Sequence, residues 1–118
     1  MNEAIKQSLR QAQEMIRSGD LNGASEILEP LKQTYPELTD VAQLWCAMMM
    51  RAGRSGEVLP YAAKIFSLVE SDLQKARWAQ IMGTACFQSL DLEAACHHYM
   101  TALNHLMALT KSGKVPAD

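Results

Sequence analysis

The sequence predicts an all-α chain, an array of six helices arranged as three antiparallel hairpins, and three observations carry that prediction. Two loops look like copies of one another: Ser18-Gly19-Asp20-Leu21-Asn22-Gly23-Ala24 and Ala52-Gly53-Arg54-Ser55-Gly56-Glu57-Val58. Their lead glycines lie 34 residues apart, which is the period of a repeated helical hairpin. A third, glycine-free version follows at Leu90-Asp91-Leu92-Glu93-Ala94-Ala95, three residues out of step. Composition agrees, since 48% of residues are hydrophobic but only 6% aromatic, and Ala, Leu and Met favour helices over strands.

The first helix is expected from about Asn2 to Ser18, with Ile5, Leu9, Ala12, Met15 and Ile16 at three- and four-residue steps on one face. Gly19 ends it. Asp20 suits the N-cap of the second helix, because its carboxylate accepts first-turn amide hydrogens and sits well on the helix dipole. That helix buries Leu21, Ala24, Ile27, Leu28 and Leu31. Pro30 interrupts it, removing a donor and crowding the carbonyl of Glu26, so a kink or fraying near Glu29 is expected. Tyr35-Pro36 closes the unit.

The third helix, about Glu37 to Ala52, carries a broad apolar face of Leu38, Val41, Leu44, Trp45, Met48, Met49 and Ala52. Such breadth suits a helix packed on two sides. The fourth begins near Ser55, with Pro60 in or just after its first turn and a stripe of Val58, Leu59, Ala62, Ile65, Phe66 and Val69. Ser71-Asp72-Leu73-Gln74 reads as a capping box opening the fifth helix, which runs to about Ser89. Asp91 caps the sixth, about Leu92 to Leu109, with Ala95, Tyr99, Ala102, Leu103, Leu106 and Met107. Residues 1–110 are thus expected to form one domain, and 111–118 a flexible tail punctuated by Gly113 and Pro116.

In three units the chain resembles the tetratricopeptide repeat family from about Ile5 to Leu109. The third unit carries most of the likeness: Trp78 near the aromatic position, Met82-Gly83 as a large then a small residue, and Ala95, Tyr99 and Ala102 in the second helix. The first unit offers Ala12, Gly19, Ala24, Leu28, Leu31 and Pro36, and the second Cys46, Gly53, Val58, Ala62 and Ile65. Short side chains let antiparallel helices approach, and larger ones fill the space between hairpins. Leu28 replaces an aromatic, the second unit lacks its terminal proline, and the third is out of step.

The resemblance implies a right-handed superhelix whose inner surface, formed by each hairpin's first helix, is a concave groove for an extended peptide or a partner helix. The implied partner-binding residues are Gln13 and Arg17 with Ile16 from the first unit, Gln43, Met50 and Arg51 with Ala47 from the second, and Arg77, Gln80 and Thr84 with Gln88 from the third. Guanidinium forks and side-chain amides suit carboxylates and backbone carbonyls. The lysine and asparagine set that clamps chaperone C-termini in some relatives is not matched.

Other chemistries find little support. The net charge of −2 and the scattered lysines give no nucleic-acid footprint. No apolar run approaches membrane-spanning length and no secretory signal opens the chain, so the expected compartment is the cytoplasm. Cys46, Cys86 and Cys96 lie in apolar helical stretches and read as buried thiols. Cys96-His97-His98 with His105 lacks the spacing of a metal site, and no nucleophile elbow or phosphate loop is present. The expectation is therefore a non-enzymatic, cofactor-free adaptor that binds a protein or peptide, without nucleic acid or membrane. The rival readings are the N-terminal module of a larger bacterial enzyme, such as a glycosyl- or sulfotransferase, and a small secretion-type chaperone. Met100, Leu103, Leu106, Met107 and Leu109 continue the apolar pattern to the end of the array with no seventh helix to cover them. This helix is therefore expected to pack against another copy, as a homodimer through the C-terminal helix, against a partner, or against a further region of the protein.

Overall fold

The computed structural model describes residues 2–112. Among them the chain is all-helical, with no strand: α1 (Glu3–Ser18), α2 (Leu21–Thr34), α3 (Thr39–Arg51), α4 (Ser55–Leu68), α5 (Asp72–Gln88) and α6 (Leu92–Ser112). The sequence suggests one domain over 1–110, and the chain divides between Arg54 and Ser55 into two compact units, each of three helices.

In the first unit, Asn2 Oδ1 accepts the Ile5 N–H at 2.9 Å and Asp20 Oδ1 accepts the Gly23 N–H at 3.0 Å, so α1 and α2 both start on a side-chain cap. Helix α1 buries Ile5, Leu9, Ala12 and Ile16 along a single stripe. Helix α2 packs against α1 and α3, and α1 also touches α3. Leu28 and Ala24 of α2 are fully buried, as are Ala12 and Cys46. Truncating Leu28 to alanine would cost about 2–5 kcal/mol.

The second unit is layered around α5, which packs on both α4 and α6. Ala76, Trp78, Ala79, Met82, Gly83, Ala85 and Cys86 are buried, on a broad arc covering half of the helix. The opposite side carries the exposed Arg77, Gln80 and Gln88. Ser55 Oγ donates to Gln88 Oε1 at 2.6 Å and ties the start of α4 to the end of α5. At the other end, Lys75 Nζ donates to the Phe66 carbonyl at 3.0 Å in the last turn of α4, where a cation complements the helix dipole. Gly83 lets the Tyr99 ring of α6 lie against α5, since a Cβ at that position would come within 2.7 Å of the ring.

The repeat seen in the loops is also a repeat in hydrogen bonding. After α1, Asp20 N–H bonds the Met15 carbonyl at 2.8 Å; after α3, Arg54 N–H bonds Met49 at 2.9 Å; after α5, Asp91 N–H bonds Cys86 at 2.9 Å. Each closes a Schellman turn around a left-handed residue: Gly19, Gly53 and Leu90, with φ of 93°, 76° and 63°. The glycine-free loop reaches the same backbone with leucine.

Several boundaries differ from expectation. Helix α2 does not fray at Glu29 but runs through Pro30 to Thr34. The segment around Pro30 is held from outside, with Trp45 Nε1 donating to Glu29 Oε1 at 2.8 Å and the Lys32 ammonium 3.7 Å from the Trp45 ring centroid. Pro60 lies in the second turn of α4, and that helix also continues. The capping box is half made: Ser71 Oγ accepts from Gln74 N–H at 3.1 Å, whereas Gln74 Oε1 is buried without a donor. Thr110, Lys111 and Ser112 belong to α6 rather than to a tail. The remainder of the expected tail, 113–118, lies outside the described residues.

Candidate functional site

Each unit carries an apolar-floored groove. In the first, α1 contributes Lys6, Leu9, Arg10 and Gln13, and α3 contributes Asp40, Gln43, Leu44 and Ala47, around a cavity of about 550 Å³. Both sets follow an i, i+3, i+4, i+7 spacing, the signature of one helical face turned toward a common hollow. Leu9, Leu44 and Ala47 give the floor its apolar character. Lys6, Arg10, Gln13, Asp40 and Gln43 supply the polar groups.

The electrostatics are lopsided. Lys6 and Arg10 share the exposed Glu3 carboxylate, each at 3.8 Å, a loose arrangement worth little in water. Two cations thus stand near the groove against the Asp40 carboxylate. Gln43 Nε2 is buried and has no acceptor. A buried amide donor left unpaired costs about 1–3 kcal/mol, which an incoming carbonyl oxygen would recover.

The second groove lies between α5 and α6, with a cavity of about 430 Å³ lined by Leu73, Ala76, Arg77, Gln80, Tyr99, Ala102, Leu103 and Leu106. Thr84, one turn beyond Gln80, donates its hydroxyl to the Gln80 carbonyl at 3.0 Å and lies 3.1 Å from the Tyr99 hydroxyl. At the rim His105 Nδ1 is 2.7 Å from Asp72 Oδ1, joining the first turn of α5 to α6.

The partner-binding residues expected from sequence therefore fall in both units. Gln13 and Gln43 line the first groove together with Ala47, and Arg77 and Gln80 line the second. Arg17 is exposed and paired with Glu14 at 2.7 Å, Arg51 is exposed, and Met50 is half-buried; none of the three lines the first groove. Ile16 belongs to the core rather than to a lining. The sequence reading missed Lys6, Arg10, Asp40 and Leu44, which lie one to three turns nearer the helix starts. Lys6 and Arg10 lie seven residues before Gln13 and Arg17, two turns along the same stripe, so the hollow sits nearer the helix starts than expected.

The cysteines divide. Cys46 and Cys86 are buried, and burial pushes both thiols up, Cys46 to about 12, so neither is a thiolate at neutral pH. Cys96, expected to be buried, is exposed, because it falls on the side of α6 that faces away from α5. Burial, with the His97 charge next in size, lowers the pKa of His98. Among the described residues no three His, Cys, Asp or Glu side chains gather as a metal set, and no helix is long and apolar enough to cross a membrane. Comparison with protein-family models, curated proteins and solved structures found no match, so both grooves are read from their own residues.

Proposed function

We propose that this chain is a tetratricopeptide-like interaction module whose α1/α3 groove receives an extended peptide segment carrying an apolar side chain beside a carboxylate. One observation carries the reading: two matching helical stripes place an apolar floor beneath Lys6, Arg10, Gln13 and Gln43. The floor offers burial to a side chain such as Leu or Phe. Arg10 offers a forked donor to a carboxylate, and Gln13 and Gln43 can serve both polar groups of a peptide bond. The tetratricopeptide resemblance implies the same face, because it lines the inner surface with the first helix of each repeat, here α1 and α3.

Panning a library of random linear peptides against the full chain tests the proposal, followed by calorimetric titration of the selected sequences. Enrichment of peptides pairing Asp, Glu or a terminal carboxylate with a large apolar residue is expected. Arg10→Glu combined with Gln43→Ala should weaken binding at least tenfold, about 1.4 kcal/mol or more. Arg17→Glu and Arg51→Glu should leave affinity unchanged. Loss of binding through Arg17 or Arg51 alone, or indifference to Arg10 and Gln43, would reject the α1/α3 groove.

A further inference from the structure

Helix α6 buries Ala95 and Ala102 against its unit, yet Leu92, Tyr99, Met100, Leu103, Leu106 and Met107 are exposed. At 100° per residue these six fall on one continuous side of the helix, next to the groove lined by Tyr99, Leu103 and Leu106. A contiguous apolar face of this length is the mark of an interface rather than of ordinary surface.

The charges on α6 identify the occupant. Glu93 in the first turn and Lys111 in the last are both exposed. They stand 18 residues apart, five turns of 3.6, so they lie on the same line along the helix. That line borders the apolar face on the edge beside Met100 and Met107, opposite the groove side. When two identical helices pack antiparallel about a twofold axis, like edges face each other. With the axis at Ala102, nine residues from each charge, Glu93 of one copy meets Lys111 of the other, twice per pair. Parallel packing about a twofold axis brings unlike edges together, so Glu93 and Lys111 of the two copies stand on opposite sides of the seam and form no pair. Exposed ion pairs of this kind contribute little affinity but select orientation and register.

We propose that α6 is an isologous docking surface for a second copy of this chain, packed antiparallel with its twofold axis at Ala102. Leu103 lies beside the axis and meets its own symmetry mate, with Met100 and Leu106 on either side. The ridge of one α6 enters the α5/α6 groove of the other copy, and both surfaces are self-complementary, as a twofold contact requires.

Sedimentation equilibrium of the full chain, from about 1 to 200 µM, is expected to show a monomer–dimer equilibrium. Leu103→Glu, a substitution at a half-exposed site, should raise the dissociation constant at least tenfold while the circular dichroism spectrum stays helical. Glu93→Lys should weaken the dimer, and adding Lys111→Glu to it should restore it. Oxidation reports the orientation. In the parallel arrangement Cys96 faces its own mate and crosslinks, whereas in the antiparallel one it lies level with Ala108 and its mate is displaced by about 18 Å along the helix. The antiparallel dimer predicts no Cys96 crosslink, and ready crosslinking of Leu103→Cys in a Cys96→Ser background. A chain that remains monomeric at 200 µM, an undiminished Leu103→Glu dimer, no rescue by the charge swap, or a Cys96 crosslink would each overturn the proposal.

Discussion

Leu90 does with a side chain what Gly19 and Gly53 do without one. Its φ of 63° lies in the left-handed region, where a Cβ crowds the following carbonyl at a cost of about 1–2 kcal/mol. The side chain is 82% exposed and recovers little of that by burial. Leu90→Gly should therefore stabilise the second unit by about 1 kcal/mol and raise the melting temperature by a few degrees in a thermal scan. An unchanged or lowered melting temperature would mean that the exposed leucine is held by a contact absent from the isolated chain. The two tryptophans show the opposite economy. Trp45 is buried with its indole N–H bonded to Glu29, whereas Trp78 is fully buried and its N–H finds no acceptor. Volume keeps Trp78 in place, since packing between α5 and its two neighbours offers more than one orphaned donor costs.

At the scale of elements, close approach decides. Helices α5 and α6 meet across Gly83, whose missing side chain is the space occupied by the Tyr99 ring. Replacing Gly83 with valine inserts two methyl groups into that contact, and overpacking of this kind typically costs about 1–3 kcal/mol. Urea denaturation of Gly83→Val should show that loss, and Gly83→Val with Tyr99→Ala should recover part of it, because the ring is the obstruction. A double variant no better than the single one would place the clash elsewhere. The second tie between these helices is polar: the His105 and Asp72 pair at 2.7 Å bridges the first turn of α5 to the middle of α6. Around Pro30 the same logic runs in reverse. An isolated helix would weaken there, but contacts through Glu29 and Lys32 to Trp45 hold α2 in place.

For the molecule as a whole, charge is nearly balanced, with 11 basic and 13 acidic residues, so no broad field draws a partner in. Any electrostatic contribution to peptide binding is then local to Lys6 and Arg10. Such exposed cations are screened over about 10 Å at 0.1 M salt. Affinity for a carboxylate-bearing peptide should fall several-fold between about 0.05 and 0.5 M sodium chloride, and the Arg10→Glu chain should lose most of that dependence. Calorimetry across the salt series checks this, and a flat response in the unaltered chain would assign the affinity to the apolar floor alone.

Local chemistry was legible because it travels with the residue types. Six helices, their approximate ends, the caps at Asp20, Ser71 and Asp91 and three kindred loops follow from period, Asp or Ser at N-caps, and glycine after α1 and α3, and none needs a distant contact to be read. The grooves were legible only in part. Gln13, Gln43, Arg77 and Gln80 were picked out, but Lys6 and Arg10 were not, because how far along a shared stripe the hollow lies depends on how the helices cross. The persistence of α2 through Pro30, the exposure of Cys96 and the division into two packed units belong to tertiary structure for the same reason. Each is set by a neighbour distant in sequence, and periodicity carries no record of which neighbour that is.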